Sequence, residues 1–237
     1  MMPLPKIEKP LFELRVPSMD RNVMCRPFLV REEKVLLTAQ QSGAEKDIVL
    51  AIKQVLDNCV QDPSFNSNKM TTYDLEYMFL KLRARSVSNV IEVSYRDNED
   101  EKVYDFEIDL DEVDILQDRE INSKIMITED IGMVLRFPSV SQLSELPDGL
   151  SSSEVVEHLV LACIEEIFDE NDVYQADEQS REDLKEFVDN LDVNTFENIR
   201  KFFDAIPNLY YKLEYKNSLG NDRVIELKSL SDFFTWG

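Results

Sequence analysis

The sequence contains the same order of predicted elements twice: a strand, two amphipathic helices and an antiparallel hairpin. The string Leu14-Arg15-x-Pro17-Ser18 returns as Leu135-Arg136-x-Pro138-Ser139, a shift of 121 positions (from 14 to 135). The helix string Val49-Leu50-Ala51 returns as Val160-Leu161-Ala162, a shift of 111. A fixed internal period indicates a duplicated unit. We therefore predict two copies, with about ten extra residues before this helix in the first copy and about ten after it in the second. A chance match of short apolar strings is the alternative.

Hydrophobic periodicity predicts the individual elements. The helical stripes fall at 31–41, 44–60, 72–86, 152–168, 181–191 and 195–206. Ser42 with Glu45, Ser151 with Glu154, and Asn194 with Glu197 have the spacing of helix start signals. The predicted strands are 12–16, 23–30, 90–95, 103–110, 124–128, 133–137, 209–215 and 223–230. This mixture predicts an α+β fold with antiparallel hairpins. In the acidic run 97–114, carboxylates alternate with apolar residues over 104–111, which predicts a strand with one solvated and one buried face.

The repeat also predicts the domain organisation. Residues 1–117 form an N-terminal α+β repeat, 118–131 a connector, and 132–237 a C-terminal α+β repeat. Two short copies that each lack a full core pack either as one pseudo-symmetric body or as two small subdomains, and the sequence leaves both open.

The charge of the chain limits its partners. Of 237 residues, 48 are acidic and 26 basic, a formal net charge of −22. Such a surface repels phosphate, so we predict neither nucleic acid nor a membrane as partner. The N-terminal MMPLPKIEKP has no apolar run typical of a secretory signal, and no stretch reaches the ~18 apolar residues of a membrane span. Three separated cysteines favour a reducing compartment, so we expect a cytosolic protein.

Several residue types needed for catalysis are scarce. The five glycines are well separated, which excludes a glycine-rich phosphate loop. His158 is the only histidine, and no Cys-x-x-Cys pair occurs. Asp97, Glu99 and Glu101 have the rhythm of a calcium loop, but Lys102 replaces the turn glycine. We therefore predict a non-enzymatic protein without cofactor or metal.

Basic residues are concentrated in two short strings. RPFLVR contains Arg26, Phe28 and Arg31, and KLRARS contains Lys81, Arg83 and Arg85. Arginine and aromatic residues are enriched at protein interfaces, so these six residues are the predicted partner-binding site. Internal pairing with the excess of acidic residues is the alternative. If the prediction is right, replacing Arg83 and Arg85 with Glu abolishes partner binding without unfolding the chain.

Longer strings resemble one protein family. They are LRVPS followed by MCRPFLVREEKVLLTAQQ, then IVLAIKQVLDNCV, DLEYMFLKLRARSVSNVIEVSY, DIGMVLRFPS and KFFDAIPNLYYKLEY. These segments resemble the baseplate hub subunit and baseplate hub assembly proteins of T-even-type myophages over most of the chain. RPFLVREEKVLL and EYMFLKLRARS are the most distinctive strings.

The resemblance implies a structural or assembly role, chaperone-like, in the central hub of a contractile bacteriophage tail baseplate. Its implied partners are other baseplate hub proteins or the tape-measure protein, met during virion and tail assembly in the host cytoplasm. Whether the protein stays in the finished virion, and its oligomeric state, are open. Two alternatives are an acidic DNA mimic or inhibitor that acts by protein–protein interaction, and, less favoured, a cell-wall glycoside hydrolase, which requires two carboxylates converging in a cleft.

Overall fold

The computed structural model describes residues 8–117, 120–147 and 149–233. It confirms an α+β fold with small antiparallel sheets. The helices are α1 Val30–Ser42, α2 Glu45–Cys59, α3 Thr72–Ser86, α4 Val140–Ser144, α5 Ser152–Cys163, α6 Arg181–Asp189, α7 Val193–Asp204 and α8 Leu230–Phe233. The strands are β1 Phe12–Val16, β2 Arg21–Cys25, β3 Val90–Arg96, β4 Val103–Asp109, β5 Asp114–Leu116, β6 Lys124–Met126, β7 Gly132–Leu135, β8 Ile164–Phe168, β9 Val173–Gln175, β10 Asn208–Lys216 and β11 Asp222–Leu227.

The chain forms two compact units. The first contains the residues up to Leu116 together with those from Asn208 onward, and the second is Gln117–Pro207. These bounds differ from the predicted ones. Strand β6 lies inside the predicted connector 118–131 and pairs with β7, while the hairpin β10–β11 belongs to the first unit. Residues 118–119 of the predicted connector lie outside the described residues.

Helix α3 is the centre of the first unit. It contacts β1, α2, β5 and β10, and its buried side chains occupy most of its circumference. They include Leu75, Met78, Phe79, Leu80 and Leu82, all at most 3% exposed. Truncation of one such side chain to alanine costs about 2–5 kcal/mol. The stability of this unit therefore depends strongly on α3.

Buried hydrogen bonds fix the beginning of α3. The helix starts with a capping box, in which the side chain of Thr71 accepts from the amide of Asp74. The Asp74 carboxylate is fully buried and also accepts from the Ser18 amide at 2.8 Å. One carboxylate therefore connects α3 to the turn that joins β1 to β2.

Two hairpins meet at their turns within the first unit. The carboxylate of Asp97, after β3, accepts from the Tyr215 hydroxyl at 2.5 Å and from Arg223 Nε at 3.1 Å. Asn217 Nδ2 donates to Glu99 Oε2 at 2.7 Å. The ring of Tyr215 lies 4.9 Å from that of Tyr104. The acidic turn is therefore paired with polar groups of the β10–β11 hairpin.

The rest of the acidic run has the predicted alternation. Asp105 and Glu107 are exposed on β4, while Ile108 between Glu107 and Asp109 is fully buried. Strand β4 pairs with β3 in antiparallel register, with Glu107 opposite Glu92. These carboxylates lie on a solvated strand face, as predicted.

The second unit is a four-stranded sheet with helices packed against it. The strand order is β6-β7-β8-β9, and all pairs are antiparallel. Its core joins Met133 and Leu135 of the sheet to Val160 of α5, Leu184 of α6 and Ile199 of α7. The rings of Phe137 and Phe202 stack at 4.9 Å between centroids.

The contacts revise the predicted alignment of the repeat. The Arg26 amide, just after β2, donates to the Cys59 carbonyl at 3.0 Å, and the Arg136 amide, just after β7, donates to the Cys163 carbonyl at 2.8 Å. Arg136 therefore corresponds to Arg26, a shift of 110 (from 26 to 136). The predicted match with Arg15 is wrong. The extra residues of the second copy follow α5 and form β8, β9 and α6.

Several element boundaries also differ from the prediction. The helix predicted over 152–168 ends at Cys163, and its last five residues form β8. The strand predicted over 23–30 ends at Cys25, and its last predicted residue, Val30, begins α1. The strand predicted over 223–230 ends at Leu227, before α8. The short elements α4, α8, β5 and β9 were not predicted, since three to five residues show little periodicity.

The start signals had mixed outcomes. Ser151 and Glu154 form the predicted capping box of α5. Helix α2 instead has Ala44 as its N-cap residue rather than Ser42, and α7 has Asp192 rather than Asn194.

Gly132 gives a test of packing in the second unit. A Cβ at this position would overlap the Phe168 ring and lie 2.9 Å from the Ile125 carbonyl oxygen. Because both neighbours are parts of the sheet, we expect Gly132→Ala to lower the free energy of unfolding by about 1–3 kcal/mol. Urea unfolding followed by circular dichroism measures this. Met126→Ala, at the exposed position opposite in β6, is the matched control; an equal loss in both variants would contradict the steric explanation.

Candidate partner-binding surface

The structure brings the two basic strings of the sequence together. The backbone amide of Phe28 donates to the Ser86 hydroxyl at 3.0 Å, and that hydroxyl donates to the Leu82 carbonyl at 2.6 Å. Ser86 ends α3, and Phe28 precedes α1 by two residues. The segment 26–31 therefore lies beside the C-terminal end of α3, although 58 positions separate the two bonded residues.

Phe28 and Arg83 line the same surface cavity, which we call the α1–α3 groove. Its volume is about 570 Å³. Its apolar lining consists of Phe28, Leu36, Leu37, Phe79, Val87, Val90, Ile91 and Phe233. Leu37 is 50% exposed and Val87 60%. Glu33, Glu92 and Arg83 supply its charged groups, and burial lowers the pKa of the Arg83 guanidinium.

Arg26 is not available at the surface. Its guanidinium donates to the Glu32 carboxylate at 2.9 Å, and its side chain is 13% exposed. The same carboxylate accepts from Arg31 Nε at 2.7 Å and from the Leu29 amide at 2.8 Å. Glu32 is 1% exposed, so α1 begins with a buried carboxylate held by two arginines. Arg31 remains 69% exposed.

Lys81 and Arg85 connect α3 to the end of β4. Lys81 Nζ donates to the Leu110 and Asp111 carbonyls, both at 2.8 Å. Burial lowers the pKa of Lys81, although nearby aspartates oppose this. Arg85 forms an ion pair with Asp111 at 3.4 Å and is 57% exposed. The Lys81 side chain thus mainly connects α3 to the residues that follow β4, while more than half of the Arg85 side chain is exposed to solvent.

The six predicted residues therefore fall into two groups. Arg26 and Lys81 are engaged by internal contacts, in agreement with the alternative of internal pairing. Phe28 and Arg83 line the α1–α3 groove, and Arg31 and Arg85 are exposed on the elements that form it. Their role in binding a partner stays a prediction.

The described residues give little support to a metal site, a membrane-spanning helix or a nucleophilic cysteine. Within 8–117, 120–147 and 149–233, no group of three or more histidine, cysteine or acidic side chains has an arrangement suited to a metal ion. None of the helices in these ranges is long and apolar enough to cross a membrane. Burial raises the pKa of the Cys25 and Cys163 thiols to about 12 and of Cys59 to about 11, so these cysteines are poor nucleophiles.

Comparison with known families gives the affiliation of the chain. A sequence model described as T4 bacteriophage base plate protein matches residues 9–235. The chain belongs to this family. The match includes both structural units and all six predicted site residues. A search of curated proteins and a search of solved structures found no significant match.

The baseplate affiliation confirms the coarser part of the resemblance seen in the sequence. The protein is a member of a T4-type phage baseplate family, which supports a structural role alongside other baseplate proteins in the virion tail. Assignment to the hub, or to hub assembly, is a finer statement and is treated as a proposal below.

Glu76, on α3 of this baseplate protein, is a carboxyl group with an unusually high pKa. Burial raises its pKa to about 7, and the Asp232 carboxylate adds to the shift, whereas the Leu230 amide opposes it. A raised carboxyl pKa is typical of a general acid. Asp232, however, caps α8 by accepting from the Lys228 and Ser229 amides at 2.8 and 2.9 Å. Capping of α8 therefore explains why the Asp232 carboxylate lies near Glu76, and the raised pKa of Glu76 needs no catalytic explanation.

Glu32 gives one pH-dependent prediction. Burial tends to raise its pKa, but hydrogen bonds from Arg26, Arg31 and the Leu29 amide lower it to about 2. Its contribution to stability is therefore present above the usual pKa of 4.5 and is lost as pH falls toward 2. We expect Glu32→Gln to lower the free energy of unfolding by about 2–3 kcal/mol at pH 7. Urea unfolding at pH 7 and pH 3 checks this; an equal loss at both would contradict the ionic explanation.

Glu76 gives the opposite prediction. Since its folded pKa of about 7 lies above the usual 4.5, folding favours the protonated form, and stability falls as pH rises from 4.5 through 7. Glu76→Gln removes this cost, so we expect the variant to be more stable by about 1–2 kcal/mol at pH 8 and nearly unchanged at pH 4. Thermal unfolding at both pH values measures the difference. A destabilised variant at pH 8 would show that the ionised carboxylate is needed.

Proposed function

We propose that this baseplate-family protein is a non-enzymatic structural or assembly factor of the central baseplate hub, acting by binding other hub proteins or the tape-measure protein. The family match over 9–235 carries the proposal. The α1–α3 groove is the proposed binding surface, because it combines exposed apolar side chains with arginines beside it.

The groove has the chemistry expected of a protein interface. Exposed Leu37, Val87 and Val90 present apolar area that gains free energy when covered. Arg31 and Arg85 offer cationic groups on the same elements, in a chain whose net charge is strongly negative. A partner with apolar side chains and acidic groups would fit this combination.

A chaperone-like role is the finer form of the proposal. An acidic protein that covers an apolar segment keeps its client dispersed, since the complex inherits a high net charge. The proposed client is a hub protein or the tape-measure protein before the tail assembles. We propose that the encounter takes place in the host cytoplasm. Mass spectrometry of purified particles distinguishes a protein that remains in the tail from one that leaves.

A pull-down with variants of the groove tests the proposal. We expect the tagged protein to retain a hub or tape-measure protein from infected cells. The double variant Leu37→Asp with Val87→Asp should reduce the captured amount at least about tenfold, because charges replace apolar contacts. The sequence-based variant Arg83→Glu with Arg85→Glu should have a similar effect. Circular dichroism verifies that each variant is folded.

A matched variant controls for surface charge. Leu50 and Val224 are 46% and 55% exposed, and neither lines the groove. Leu50→Asp with Val224→Asp should leave the captured amount unchanged. The groove proposal fails if this control loses binding equally, and the assembly proposal fails if the folded wild type captures no baseplate or tail protein.

A further inference from the structure

The second unit has a small apolar cavity of its own, which we call the β9–α6 cup. Its volume is about 270 Å³. Apolar side chains from β8, from α6 and from the turn between β6 and β7 line most of it: Ile131, Ile167, Phe168, Leu184 and Phe187. Small-molecule sites usually have about 300–1,000 Å³. The cup lies at the small end of this range and has room for an apolar side chain.

The cup lies in the more acidic of the two units. Residues 117–207 contain 22 acidic and 7 basic residues, a net charge of −15, and segment 165–192 alone contains 12 acidic and 2 basic ones. Asp169 and Asp183 line the cup directly. Carboxylates therefore lie at the apolar cavity itself and along the segment that forms much of it.

Few basic side chains neutralise these carboxylates. Asp169 accepts from the amides of its own turn and from the Tyr174 hydroxyl at 3.0 Å, and Asp183 accepts from the Ser180 hydroxyl at 2.6 Å. No lysine or arginine is among the described residues that line the cup. Lys124 approaches from the sheet, with Nζ 4.6 Å from the Phe168 ring centroid. The hydrogen bonds to Asp169 and Asp183 thus come from neutral groups.

We propose that the β9–α6 cup binds a basic segment of a partner protein, inserting one apolar side chain while flanking lysines or arginines face the surrounding carboxylates. Charge complementarity selects this occupant, because an acidic or neutral segment would gain nothing from the surrounding field. The cup belongs to the second unit and the α1–α3 groove to the first, and they share no lining residue.

Binding of synthetic peptides to the full chain tests the proposal by fluorescence anisotropy. The probe is a fluorescein-labelled peptide in which Leu-Phe is flanked by three lysines on each side. We expect it to bind, more weakly as salt is added. A peptide with Ser-Ser in place of Leu-Phe should bind about tenfold more weakly or worse, and one with glutamates in place of the lysines should not bind.

Two variants separate the apolar from the ionic contribution. Ile131→Ser with Tyr174→Ser alters the cup lining, and Glu170→Lys with Glu182→Lys reverses nearby exposed charges while leaving the lining intact. Each should weaken binding of the lysine-flanked Leu-Phe peptide about tenfold. Glu101→Lys with Glu107→Lys makes the same change of net charge in the first unit and should have no effect.

The outcomes that overturn the proposal are distinct from those for the groove. Equal affinity for the Leu-Phe and Ser-Ser peptides would reduce the interaction to non-specific charge attraction. Equal weakening by Glu101→Lys with Glu107→Lys would do the same. Amide chemical shifts on peptide addition should change in β8, β9 and α6; changes confined to the α1–α3 groove would place the peptide elsewhere. Groove variants that abolish partner capture would leave this peptide affinity unchanged.

Discussion

Burial of α3 is the constraint on which the first unit depends. Most side chains of the helix are at least partly buried. Polar atoms near its two ends are therefore buried too, and they need hydrogen-bond partners. Asp74 finds one at the N-terminal end, the Ser18 amide. Lys81 finds two near the C-terminal end, the carbonyls that follow β4. Once α3 is placed, the segment before α1 is held against Ser86, and the α1–α3 groove follows from that contact.

The two copies of the repeat share one backbone hydrogen bond but differ in the side chains that begin the following helix. In both copies an amide just after a strand donates to the carbonyl of a cysteine that ends a helix. In the first copy Glu32 accepts from the Leu29 amide and from two arginines. In the second copy the equivalent residue is Gln142, which accepts from the Ser139 amide and donates to the Ala162 carbonyl. The first copy therefore has an ionic start to its helix and the second a neutral one.

The same comparison explains why the two proposed surfaces differ. After α5 the second copy continues through β8, β9 and α6, and this segment, 164–189, contributes to the β9–α6 cup and carries 11 of the 22 acidic residues of that unit. The first unit instead presents arginines beside an apolar groove. The two proposed surfaces therefore differ in the charged groups beside their apolar side chains.

The sequence by itself determined the fold class, the longer helices and the alternation of β4, because periodicity is a local property that a dozen residues can express. It also singled out the two basic strings. It did not separate Arg26 from Phe28 or Lys81 from Arg83, because only packing decides which side chains meet an internal partner. The sequence also did not indicate that α5 ends at Cys163, because Ile164 and Ile167 fit both a helical stripe and a buried strand. The domain bounds and both apolar cavities arise from contacts between distant residues, so tertiary structure alone decided them.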